Sequence, residues 1–75
     1  MENSEKHFYT FGTKTRDNVE TYSKTLATMG IFYYVRIEPL SSHNVIYIFV
    51  IECTDEELVE IEKKLHKKIK IGGIE

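Results

Sequence analysis

The sequence predicts an α+β domain in two layers, an antiparallel sheet with both helices on one of its faces. Two stretches repeat apolar residues at helical spacing behind capping residues, and three are dense in β-branched and aromatic residues. They occur in the order strand, helix, strand, strand, helix, with room for one more short strand. A helical crossover joins parallel strands with a right-handed turn, whereas a short polar link makes a hairpin. The third strand is therefore expected between the first two, antiparallel to both.

The first strand is His7-Phe8-Tyr9-Thr10-Phe11, rich in aromatic residues and closed by Gly12-Thr13. Thr15 or Asp17 caps the helix that follows, Asp17 with Glu20 at capping-box spacing. Val19, Tyr22, Leu26 and Met29 then recur at intervals of 3, 4 and 3, and Gly30 stands where a left-handed residue ends a helix, which predicts a helix over about 16–29. Ile31 to Glu38 reads as the second strand, stopped by Pro39, which has no N–H for a ladder. After Leu40-Ser41-Ser42-His43-Asn44, Val45 to Glu52 is the strongest strand signal and is expected at the centre of the sheet. Thr54 with Glu57 forms a second capping box, and Leu58, Ile61, Leu65 and Ile69 give the second helix its apolar stripe. Asp55, Glu56 and Glu57 begin that helix and Lys63, Lys64, Lys67 and Lys68 end it, the polarity its dipole favours. Lys70 to Glu75 allows a short fourth strand, weakened by Gly72 and Gly73.

This order, over the whole chain, resembles the ferredoxin-like β-α-β-β-α(-β) sandwich. The resemblance is one of pattern, and the fold hosts many unrelated functions. Residues 1–75 are expected to form one domain, since either half would be too small to bury a core. Ten Lys plus Arg against twelve Asp plus Glu leave a charge of -2, which argues against a DNA-coating protein and against an acidic nucleic-acid mimic. A single Cys excludes an internal disulfide and any zinc site with two or more thiolates, so a reducing, cytoplasmic location is expected. The apolar run Val45 to Ile51 falls far short of the ~20 residues of a membrane span, and Met1 to Lys6 has no signal-peptide pattern. No membrane partner is expected.

Alternation along the third strand puts Ile46, Ile48 and Val50 on one side and Val45, Tyr47, Phe49, Ile51 and Cys53 on the other. Aliphatic side chains interdigitate well beneath helices, so Ile46, Ile48 and Val50 are expected there with Tyr33, Val35 and Ile37. Tyr34, Arg36, Tyr47 and Phe49 are then left on the open face, and a contiguous apolar patch of that kind marks a binding surface. The expected partners are a second copy of the chain and a target protein, because aromatics and Arg are enriched at interface cores. An unpaired outer edge of the first strand is a second reason to expect a homodimer. One alternative stacks single-stranded RNA on the same four residues, although Asn44 to Val50 lacks the basic and glycine positions that open the RNA-recognition strand motif, and another folds the tail or the N-terminus over the face to complete a private core.

No catalytic residue, cofactor or metal is expected. Cys53 precedes a helix N-terminus, but nothing brings His7, His43 or His66 to it as a base. The histidines have no ligand spacing, and Glu62 with His66 is a surface pair. Gly72-Gly73 lacks the Lys and Ser/Thr of a phosphate loop, and Gly12 to Thr15 is an ordinary turn. Lys63, Lys64, Lys67, Lys68 and Lys70 read as a solvated face, with Glu60 placed to pair with Lys64. The function expected is that of a non-enzymatic intracellular binding module, a regulator or inhibitor of the kind that phages and other mobile elements carry.

Overall fold

A computed structural model describes residues 5–71 and places them in β1 (His7–Thr13), α1 (Arg16–Met29), β2 (Phe32–Pro39), β3 (Val45–Cys53), α2 (Asp55–Leu65) and β4 (Lys70–Ile71). The result is an α+β domain whose strands form one sheet in the order β2-β3-β1-β4, each antiparallel to its neighbour. β3 runs between β1 and β2, and β4 meets β1 at Tyr9 and Thr10. Gly72 and Gly73 lie outside the described residues, as does the start of the chain up to Ser4.

α1 begins at the expected place by a different device. Thr15 is its N-cap residue but makes no side-chain cap, and Asp17 is already inside the helix. Thr13, at the end of β1, fixes the entry to the helix: its Oγ1 takes hydrogen bonds from Thr15 N at 3.2 Å and from the Asn18 side chain through Nδ2 at 3.1 Å, while Asn18 N–H donates to Thr15 O at 3.1 Å. The helix ends at Gly30, with φ of 74°, where Ile31 N–H reaches back to Leu26 O at 2.9 Å. That left-handed turn needs a residue without a Cβ.

α2 opens on the capping box that its sequence spells. Glu57 N–H donates to Thr54 Oγ1 at 3.2 Å, and Thr54 N–H donates to Glu57 Oε1 at 2.9 Å. Thr54→Ala is expected to lower stability by about 1 kcal/mol, seen as a fall of about 4–8 °C in Tm by circular dichroism. The helix is shorter than its apolar stripe. It ends at Leu65 with His66 in the left-handed region at φ of 55°, so Lys63 and Lys64 sit in the last turn while Lys67, Lys68 and Ile69 lie beyond it. The Glu62 carboxylate accepts from Ile69 N at 3.0 Å and keeps this extension against the domain, with Ile69 buried.

Both helices cover the same face of the sheet. Leu26 from α1 and Ile61 and Leu65 from α2 pack in one cluster with Tyr9 and Phe11 of β1 and Phe49, Ile51 and Cys53 of β3. Tyr33 and Val35 pack against its margin as expected, whereas Ile37, expected beside them, is 64% exposed. The expected facing of β3 is reversed: Phe49 is fully buried beneath the helices, and Ile46, Ile48 and Val50 point to the other side. The cause lies in the neighbouring strands. Phe11 and Val35 sit directly opposite Phe49, and opposed residues share a face. On the other face β1 offers only Thr10 and Gly12 beside Val50 and Ile48, too little volume to fill the space under a helix. The rings fill it instead: Phe11 stacks on Phe49 at 5.0 Å between centroids, and Tyr22 of α1 meets Phe49 edge-on at 5.8 Å.

Candidate contact face

The uncovered side of the sheet is read row by row from the strand register. Phe8, Glu52 and Phe32 form one row across β1, β3 and β2; Thr10, Val50 and Tyr34 the next; Gly12, Ile48 and Arg36 the third; Ile46 and Glu38 the last. Ile48 and Val50, at 4% and 8% exposure, make an apolar floor along the central strand. Phe8, Phe32 and Tyr34, at 54%, 60% and 47%, stand up from the flanking strands. Gly12 leaves room for Ile46, since a Cβ there would come within 3.0 Å of the Ile46 Cδ1. Arg36 and Glu38 form an exposed ion pair at one end of the face. The solvated face of an antiparallel sheet is ordinarily polar, and this one carries Phe8, Phe32, Tyr34, Ile46, Ile48 and Val50 among its polar residues Thr10, Arg36, Glu38 and Glu52.

Of the four residues expected on this surface, Tyr34 and Arg36 lie on it. Tyr47 and Phe49 do not: Tyr47 is half-buried on the helix side, opposite Thr13 and Ile37, and Phe49 is in the core. Phe8, Phe32, Ile46, Ile48 and Val50 take their place. An RNA platform built from Tyr34, Arg36, Tyr47 and Phe49 is thereby divided between two faces, and the central strand of the open face holds aliphatic side chains where bases would need rings to stack on.

Two polar groups next to the core act structurally. The Tyr9 hydroxyl donates to Asp55 Oδ1 at 2.6 Å, tying β1 to the first turn of α2. That bond to a carboxylate, with burial adding to it, pushes the phenol up to about 12. Burial, reinforced by the nearby Glu57 and Asp55 carboxylates, pushes the Cys53 thiol up to about 11. Cys53 is fully buried, so a thiolate nucleophile at neutral pH is not what this position offers. Both groups are acids held protonated by the fold, while the unfolded chain releases its thiol proton near pH 8.5–9. Stability is thus fully present below about pH 9 and falls as pH rises through about 11 and 12. Urea midpoints taken between pH 7 and 11 check this, and Cys53 is expected to react with a thiol reagent only as fast as the domain opens.

Among the described residues no group of three or more His, Cys, Asp and Glu side chains is arranged to hold a metal ion, and no helix is long and apolar enough to cross a membrane. A groove lined by Glu20, Thr21, Lys24, Thr25, Thr28 and Met29 of α1 and by Lys64 of α2 carries side chains of both charges. Fold and face together define a small α+β domain with one sheet face under helices and the other left uncovered by the described residues. Comparison with family models, with curated proteins and with solved structures finds no match for this chain.

Proposed function

We propose that this chain is a non-enzymatic protein-binding module of ferredoxin-like arrangement, a regulator that works by macromolecular contact in the cytoplasm. It acts as a homodimer, and its uncovered sheet face receives a target protein. The observation that supports this reading is the group of large exposed side chains, Phe8, Phe32 and Tyr34, that flank Ile46, Ile48 and Val50 on one sheet face. Exposed apolar patches rimmed by polar residues mark interaction sites, and large aromatics in such patches supply most of the contact energy.

The test has two arms. Affinity capture from the source cell with the wild-type chain as bait is expected to retain a protein that a bait carrying Phe8→Lys does not retain. Titration of a labelled single-stranded oligonucleotide at two salt concentrations is expected to show no binding even at low salt, where phosphate contacts would be strongest. Salt-dependent oligonucleotide binding with no retained protein would replace the protein target with RNA.

A further inference from the structure

We propose that β2 pairs edge to edge with β2 of a second copy of this chain, antiparallel and centred on Val35, so that two sheets become one. This deepens the homodimer reading above and rests on it. β2 is one of the two edge strands, the other being the two-residue β4, and among the described residues it bonds to β3 on one side only. In an antiparallel ladder, opposed residues alternately do and do not exchange hydrogen bonds, so every second residue of an edge strand turns its N–H and C=O outward.

The hairpin shows which residues those are. Leu40 N–H donates to Asn44 O at 2.8 Å, continuing the register in which Pro39 opposes Val45 and Glu38 opposes Ile46. Even-numbered residues of β2 therefore bond to β3, while Tyr33, Val35 and Ile37 present their backbone groups to the outside. Pro39 belongs to the outward set, where its missing N–H breaks no bond within the sheet.

Proteins ordinarily blunt such an edge with charged side chains, a proline, a bulge or a covering segment, and β2 has its one proline at the very end, Pro39. β2 pairs residue for residue with β3 from Phe32 to Pro39, contains no Lys, and has Arg36 and Glu38 already neutralising each other. It is also apolar on both faces: Phe32 and Tyr34 are exposed on the open side, and Ile37, at 64%, on the helix side.

The strand is complementary to itself when centred on Val35. With Val35 opposite Val35 of the second copy, Tyr33 falls opposite Ile37 and Ile37 opposite Tyr33. Each of these pairs exchanges two N–H···O=C bonds, and Pro39 lies just past the ladder. The Tyr33 side chain then covers the exposed Ile37, and Tyr34 lies beside Arg36, whose guanidinium is attracted to an aromatic face. The neighbouring symmetric registers are worse. Centring on Ile37 sets Pro39 against Val35 and forfeits bonds, and centring on Arg36 brings two guanidinium groups face to face.

Sedimentation equilibrium of the full chain at micromolar concentration is expected to give twice its 8.8 kDa mass. Amide hydrogen exchange in that dimer is expected to be slower at Tyr33, Val35 and Ile37 by at least about tenfold than in the dilute monomer. Val35→Pro, which deletes an outward N–H and leaves the β2–β3 ladder intact, is expected to sediment as a folded monomer. A dimer whose three outward amides exchange at the monomer rate overturns the edge pairing alone. A chain that stays monomeric at high concentration overturns the homodimer as well. Should Val35→Pro fail to fold, the exchange measurement on the wild-type chain decides by itself.

Discussion

Phe49→Ala is expected to lower the unfolding free energy by about 3–5 kcal/mol, a large part of the roughly 5–10 kcal/mol that a domain of this size has. Phe49 is fully buried at the meeting point of three rings, Phe11, Tyr22 and Tyr33, so truncation removes apolar contact and leaves a cavity that neighbouring strands cannot close. Urea unfolding followed by circular dichroism reads the effect directly. A loss under about 1 kcal/mol would place Phe49 at the surface and return β3 to the opposite facing. Tyr34→Ala, on the other face at 47% exposure, is the control expected to show only such a small loss.

Phe8→Lys is expected to weaken contact with a target protein about a hundredfold or more while leaving the fold within about 1 kcal/mol of wild type. Phe8 is more than half exposed, so little packing is lost, and Glu52 directly opposite on β3 receives the new ammonium group as a cross-strand pair. Covering the face with a partner would desolvate that charge, a penalty of several kcal/mol that the wild-type phenyl ring does not meet. Val59→Asp places a charge on the exposed surface of α2 instead and is expected to leave binding unchanged. The edge of β2 is untouched by either substitution, so self-association is expected to persist in both.

The elements were legible because each has a local cause. The stripe Val19, Tyr22, Leu26, Met29 and the stop at Gly30 describe α1 over the residues it occupies, and Thr54 with Glu57 describes the start of α2. Asp17 is not the cap because the helix starts at Arg16, one residue before it, and Thr15 takes the N-cap position without a side-chain hydrogen bond. Ile69 belongs to the core without belonging to α2, since the stripe continues in an extension that turns at His66. The open apolar face was also legible as a surplus of large side chains over what two helices can cover. Its membership was not, because β3 is apolar on both sides from Val45 to Ile51 and alternation without a polar residue has no visible direction.

The missing direction was nevertheless present in the loop. Leu40 to Asn44 pairs Pro39 with Val45, a register in which odd residues oppose odd residues. Once Tyr33 and Val35 are assigned to the helix side, Ile51 and Phe49 must follow them, and Ile48 and Val50 must face outward. Aliphatic preference under helices was the weaker rule here, because Thr10 and Gly12 leave one side of β1 too small to build a core.

The central claim is that the face bearing Ile46, Ile48 and Val50 is open in the free chain and covered by the target. Methyl relaxation by a soluble paramagnetic probe tests it, with the chain alone and then with the captured protein added. The Ile46 methyl groups are expected to be relaxed strongly in the free chain, the target to abolish this, and Ile51 and Ile61 in the core to be unaffected throughout. Protection that appears at Val59 on α2 and leaves Ile46 as exposed as before would contradict it.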